Sequence, residues 1–324
     1  MDNSDKQGSG AGEPAGWERG VLEKLAFAAL DEQRKTRRWG IFFKLFFVAY
    51  LLLLLILMQS GDMGEKPLAG RYTALVELEG EIAPDTGASA DQVITGLRAA
   101  FEDKAAAGII LRANSPGGSP VQAAYIYDEI LRLRAQYPDN PVYTVVSDIC
   151  ASGCYYAAAA TSRIYANPSS IVGSIGVLMD GFGFVDGMKK LGIERRLLTA
   201  GENKGILDPF SPLDARSRGH AQRMLNDIHE QFITAVKRGR GAALKSDREI
   251  FSGLFWTGGR ARELGLIDEF GSAGTVARDV IGAEEIVDYT VRQNFLQRLT
   301  ERFGVALGRS LASEVTFRSA PRVH

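Results

Sequence analysis

The chain has 324 residues, 45% of them hydrophobic and 24% charged, which is ample to bury a core as one large domain or two small ones. Lysine and arginine total 38 against 39 acidic side chains, so no net positive field draws the protein to nucleic acid, and no nucleic-acid partner is expected. Two cysteines and three histidines argue against a disulfide-dense scaffold and against a Cys/His zinc cluster; neither metal nor cofactor is expected.

Residues 1–15 are rich in Gly, Ser, Asp and Glu and read as a disordered tail. Trp17, Val21 and Leu25, with Leu22, Ala26 and Leu30, follow a helical spacing over residues 17–33 and suggest an amphipathic helix on a membrane face. The run 41–58, IFFKLFFVAYLLLLLILM, is interrupted only by Lys44, near its start. At 1.5 Å per residue it would span about 27 Å, close to the thickness of bilayer hydrocarbon. Arg34, Lys35, Arg37 and Arg38 precede it, whereas only Lys66 and Arg71 follow closely. The excess of positive charge places the N-terminus in the cytoplasm and the residues after Gly61 outside it. The expected division is a cytoplasmic tail at 1–38, a single-pass anchor at 39–60, an extracytoplasmic domain at 61–290 and a C-terminal amphipathic helix and tail at 291–324. Phe295, Leu299, Phe303 and Leu307, flanked by Arg292, Arg298 and Arg302, carry that last assignment.

Within the outer domain, strand-like and helix-like segments alternate. Strands are expected at Tyr72–Leu78, Gly108–Arg112, Val142–Val146, Arg163–Ala166, Gly176–Met179 and Glu194–Leu198. Helices are expected at Ala90–Phe101, Val121–Tyr137, Gly153–Ala160 and from about Asp214 to Arg238. This is an α/β pattern with mostly parallel strands. No Gly-x-Gly-x-x-Gly follows a strand, which disfavours a nucleotide fold.

Two glycine-rich turns follow strands, Asn114-Ser115-Pro116-Gly117-Gly118-Ser119 and Cys150-Ala151-Ser152-Gly153-Cys154. A strand–turn–helix junction can lift a serine to the end of a sheet, where free backbone N–H groups stabilise an oxyanion. The competing reading of Ser152 is a simple helix N-cap. A serine nucleophile needs a base. His220 and His229 lie on a charged helix and read as surface residues, and His324 is the final residue. A lysine is the alternative, provided apolar surroundings keep its amine neutral. Lys204, in AGENKGILDPF, is a candidate, though a solvated loop lysine has the same appearance.

The strings ANSPGGS, ASGCYYAAAATSRIYANPSSIVGSIGV and AGENKGILDPFSPL, in that order, resemble the signal peptide peptidase A family of membrane-anchored Ser/Lys serine proteases. The resemblance runs from about Leu75 to Val287. It implies the spiral β-β-α core shared with Clp protease and crotonase folds, preceded here by one transmembrane helix, and assembly of copies into a homo-oligomer. It places the nucleophile on Ser152, the general base on Lys204 and a lysine-orienting hydroxyl on Ser174. It places the oxyanion hole on Gly117, Gly118 and Gly153. The implied substrates are remnant signal peptides and other membrane-associated peptides, cut at the periplasmic side of the inner (plasma) membrane. Many members carry a second glycine where this chain has Cys154, which is expected to pack as a small apolar group, a disulfide to Cys150 or a stray nucleophile being the alternatives. Two rival functions remain, an inactive scaffold of the same fold and a crotonase-like thioester enzyme.

Overall fold

A computed structural model describes residues 17–60 and 70–292. The chain divides into two compact units, Met1–Met63 and Gly64–His324. The N-terminal tail and the amphipathic segment built on Phe295–Leu307 lie outside the described residues.

The described residues of the first unit form one helix, α1 (Trp17–Ser60, 44 residues). The amphipathic stretch and the apolar stretch, expected as separate segments, are therefore continuous; no proline interrupts them. Ile41, Phe42, Phe43, Leu45, Phe46 and Phe47 are all exposed. Among the described residues no helix is long and apolar enough to cross a membrane. The last four positions of the 41–58 run lie outside the residues whose side chains are described.

The second unit is built on a mixed sheet. Its elements in chain order are β1 (Tyr72–Glu79), α2 (Ala90–Glu102), β2 (Ala106–Ser115), α3 (Pro120–Gln136), β3 (Val142–Ala151), α4 (Gly153–Ala158), β4 (Arg163–Ala166) and β5 (Ile171–Gly173). There follow α5 (Val185–Lys190), α6 (Ala215–Arg240), β6 (Phe255–Thr257), α7 (Gly258–Glu263), β7 (Glu269–Phe270) and β8 (Ile286–Asp288). The main path runs β6-β5-β3-β2-β1-β8, while β4 pairs with both β3 and β7. Every pairing is parallel except β5 with β6.

The central strands are apolar on both sides, as a parallel sheet covered on two faces requires. Ala74, Val76, Ile109 and Leu111 point into the larger core together with α2, α3 and α4. Leu75, Ile110 and Val145, one residue out of phase, pack on the opposite face with Tyr165, Val276 and Ala277. Helix starts are encoded locally. Ser119 caps α3 ahead of Pro120, and the Asp214 carboxylate accepts the Ser217 N–H at 2.9 Å to open α6.

What shapes the site is the course of β3. Its first half, Tyr143–Val146, pairs with β4, and its last residues, Ile149–Ala151, pair with β5. The register against β2 slips between Ala113↔Val146 and Ser115↔Cys150, so β3 carries extra residues at the point of divergence. There the Ser147 carbonyl accepts the Ser170 hydroxyl. The strand thus leaves one neighbour for another just before Ser152.

Two expected strands are absent. Residues 176–179 and 194–198 form no ladder and sit in a largely exposed segment. Their β-branched and leucine content suits a strand, but no sheet edge in this copy pairs with them, and propensity without a partner is insufficient. In their place the short β5 ends at Gly173, immediately before Ser174, and β8 adds an edge to β1 that was not foreseen.

Candidate active site

Ser152 stands between β3 and α4, at the N-cap position, with φ 54° and ψ −124°. A positive φ at a non-glycine residue costs on the order of 1–3 kcal/mol and persists only where surroundings impose it. Here the imposing contacts are identifiable. The Ser152 N–H donates to the Gly173 carbonyl at 2.8 Å, and the Ser152 carbonyl accepts the Tyr156 N–H at 3.0 Å. The helix beneath is held by Tyr155, whose buried hydroxyl donates to the Leu266 carbonyl at 2.7 Å; burial pushes that phenol's pKa up. Tyr156 stacks on Phe232 at 4.9 Å, which fixes α4 to α6.

The N-cap reading of Ser152 fails on its own terms. Its side chain makes no capping hydrogen bond. The neighbouring serines are occupied: the Ser115 hydroxyl accepts the Gly117 N–H at 3.1 Å, and the Ser119 hydroxyl accepts from Gln122 at 3.4 Å. Ser152 is half-buried.

The first glycine turn is stacked on this junction. Gly117 has φ 101°, and a Cβ there would lie 2.7 Å from the Gly153 nitrogen, 2.7 Å from the Ser152 Cβ and 2.8 Å from the Ala151 carbonyl oxygen. Gly118 has φ 147°, and a Cβ would run into the Ile82 carbonyl. Neither position admits a side chain, for reasons of both conformation and space. The structure thus brings Gly117, Gly118, Ser152 and Gly153 together, and it also divides their expected roles. The Gly117 N–H already points to Ser115, whereas the N–H groups of Gly118 and Gly153 have no acceptor among the described residues. A Cβ on Gly153 would lie 3.4 Å from the Gly118 nitrogen, so the two turns lie in close contact. Of the three expected donors, Gly117 is thus engaged, while Gly118 and Gly153 are not, among the described residues.

Ser174 joins the cluster through the backbone. It follows Gly173, which pairs with Ala151 in the β3–β5 ladder, and it too has a positive φ of 52°. Its N–H donates to the Leu254 carbonyl at 2.8 Å, leaving the hydroxyl without a hydrogen-bond partner among the described residues. The adjoining Ile175 carbonyl lies 3.0 Å from Nε2 of His229. His229, expected as a plain surface residue, is half-buried against the segment that carries Ser174, while His220 is exposed as anticipated. Nothing in the α6 sequence distinguishes the two, because the carbonyl that meets His229 is 54 residues away.

Lys204 is not brought to Ser152 by any hydrogen bond of the described chain. It is exposed, in a turn whose N–H groups close back on Gly201 and Asn203. The surrounding segment presents apolar side chains to solvent, among them Leu178, Phe182, Leu191 and Leu198, the last 96% exposed. Phe184 and Phe210 stack at 5.5 Å, and Arg195 lies over Phe210 while pairing with Asp208, a local knot that gives the segment some internal order.

Cys154 differs from expectation. It is not a free packed thiol but forms a disulfide with Cys150, and both residues are fully buried. At four residues' separation the Cα atoms lie 5.1 Å apart, because the chain doubles back through Ser152.

Comparison with known proteins places the chain in a family. Residues 134–284, which include Ser152, Ser174 and Lys204, match peptidase family S49. The chain is 31% identical over 216 residues to a Methanocaldococcus jannaschii protein with a provisional protease name, covering 65% of this chain and 68% of that one. It is 30% identical over 196 residues to the chloroplastic serine protease SPPA of Arabidopsis thaliana, covering 58% and 28%. It is also 46% identical over 186 residues to a Brucella melitensis protein named Na(+)/H(+) antiporter NhaA, covering 57% of this chain and 25% of that one. The chain therefore spans about a quarter of the length of the first curated relatives it matches. The chain belongs to peptidase family S49, the signal peptide peptidase A family.

Proposed function

We propose that the protein is a membrane-anchored serine endopeptidase working through a Ser152–Lys204 dyad. The observation that carries the reading is the state of Ser152: a strained residue at a helix start whose hydroxyl performs no capping, in a turn whose Gly153 N–H has no acceptor among the described residues. In the reaction, Oγ of Ser152 attacks the scissile carbonyl carbon and its proton passes to Nζ of a neutral Lys204. The oxyanion takes the N–H groups of Gly118 and Gly153. Collapse returns the proton from Lys204 to the leaving amine; water, deprotonated in turn by Lys204, then attacks the acyl carbon, and as the ester C–O bond breaks Lys204 returns that proton to Oγ of Ser152, releasing the acyl group as a carboxylic acid.

Lys204 must be desolvated to act, and a single copy leaves it exposed. The apolar side chains around it support a homo-oligomer in which a second copy covers this segment and supplies the missing apolar surroundings. Ser174, beside the nucleophile and with a free hydroxyl, is the orienting partner for the amine. The β3 divergence between β4 and β5 supports the spiral β-β-α core.

The run 41–58 and the basic residues before it support a single-pass anchor in the inner membrane, with the catalytic unit on the periplasmic side. A disulfide between the chain's two cysteines is in keeping with an oxidising compartment. Remnant signal peptides and other membrane-associated peptides are the substrates such a placement offers. The test is turnover of an apolar peptide by the full chain in detergent. Ser152→Ala should lose nearly all activity while Ser115→Ala folds less well but remains cleavage-competent; undiminished turnover by Ser152→Ala would refute the assignment.

A further inference from the structure

We propose that the Cys150–Cys154 disulfide is a positioning element for the nucleophile, a staple across the turn that holds Ser152 in its strained conformation. The proposal rests on the reading of Ser152 as the nucleophile. The two cysteines bracket Ser152 symmetrically, two residues before and two after, and the bridge joins the last ladder residues of β3 to the first turn of α4. Cys150 is itself fixed in the sheet, opposite Val172 of β5 and Ser115 of β2. Cys154 lies on a six-residue helix, too short to hold its own geometry. The bridge thus ties a weak element to a rigid one across a residue whose φ of 54° would otherwise relax.

Loop length separates this role from general stabilisation. A disulfide restricts the unfolded chain by an amount that grows with the logarithm of the loop it closes, so one closing so short a loop adds less to global stability than one closing a long loop. Its leverage is local, on Ser152, the one positive-φ residue it encloses. Reduction would consume a dithiol: one thiolate attacks a cysteine sulfur to form a mixed disulfide and expel the other cysteine as thiolate. The second thiol of the reagent then resolves it, leaving two cysteine thiols and an oxidised reagent. Both sulfurs are buried, so the turn must open for the attack.

The test uses the full chain in detergent, produced in an oxidising compartment. Thiol counting in denaturant should find no free thiol before dithiothreitol and two after it. Reduced protein and a Cys150→Ala/Cys154→Ala variant should both lose kcat by roughly ten- to a hundredfold with KM little changed, since the reacting oxygen is misplaced and not the binding surface. The unfolding midpoint should move by only a few degrees, and the variant should no longer respond to dithiothreitol. Unchanged kcat after reduction, two free thiols in the purified enzyme, or a loss of activity that merely tracks unfolding would each overturn the proposal. Failure of the underlying assignment is read separately: a Ser152→Ala chain that still turns over peptide removes the nucleophile whatever the cysteines do.

Discussion

The closest fit between sequence and chemistry is at Gly117, and substituting it isolates the contribution of loop stacking. An alanine Cβ would sit 2.7 Å from both the Gly153 nitrogen and the Ser152 Cβ, about 0.7 Å inside ordinary van der Waals contact at 3.4 Å. Both obstacles belong to the Ser152 turn, so the turn or the loop must shift by that distance. The strain of a side chain at φ 101° adds about 1–3 kcal/mol and the overlap about 1–3 kcal/mol, giving roughly 2–6 kcal/mol of lost stability. A misplacement of this size at the reacting atoms is expected to lower kcat/KM by about 30- to 100-fold. Gly80→Ala is the control, because Gly80 has φ 83° but nothing within 4 Å of a built Cβ. It carries the conformational strain without the collision, and should cost about 1 kcal/mol with activity nearly intact. Peptide turnover and thermal unfolding of the three proteins side by side decide the matter. Equal activity in Gly117→Ala and Gly80→Ala would refute the claim that the Gly117 turn shapes the oxyanion hole.

Ser152→Gly should be inactive yet more stable by about 1 kcal/mol, since glycine relaxes the positive φ and no capping bond is lost; a destabilised variant in thermal melts would contradict stored strain at this residue. Lys204→Arg should be nearly as inactive as Lys204→Ala, because arginine keeps the charge but cannot accept a proton; substantial turnover by the arginine variant would remove Lys204 as base. Glu129, buried on α3, is held by hydrogen bonds from Arg132 and Arg98 at a pKa of about 2, below its ordinary 4.5. The depressed pKa stabilises the fold above about 4.5, and that contribution is lost as pH falls toward 2. Both arginines are half-exposed, so Glu129→Gln should cost about 1–2 kcal/mol near neutrality, less than the full shift implies, with the difference from wild type narrowing in acid unfolding curves.

The sheet was legible where burial alone determines structure. β1, β2 and β4 begin or end within two residues of their expected positions, since apolar runs bounded by turn residues have few alternatives. The stretches around 176–179 and 194–198 misled because a strand needs a neighbour and the sequence records only propensity. The continuation of β3 past Val146 to Ala151 was hidden for a related reason: Ser147 and Asp148 look like a turn, but they are the bulge at which the strand changes partner. At the site, Ser152 and its glycine loops were visible because φ-permissive residues cluster there. The division of labour between Gly117 and Gly118 was not, since it depends on which amide the Ser115 hydroxyl reaches. The contact of His229 with Ile175 was equally invisible, being set by how α6 crosses the sheet. The disulfide stood in the sequence as a spacing of four, which fits helix packing as well as a doubled-back turn.

The central claim is that Ser152 is the nucleophile, and covalent trapping tests it most directly. The full chain in detergent is treated with a fluorophosphonate, digested and mapped by mass spectrometry, with Ser152→Ala in parallel. The account requires a phosphonyl adduct on the peptide containing Ser152, loss of peptide turnover in step with its formation, and no adduct in the variant. An adduct on Ser115, Ser119 or Ser174 with Ser152 unmodified, or full peptide turnover after Ser152 is completely labelled, would contradict it.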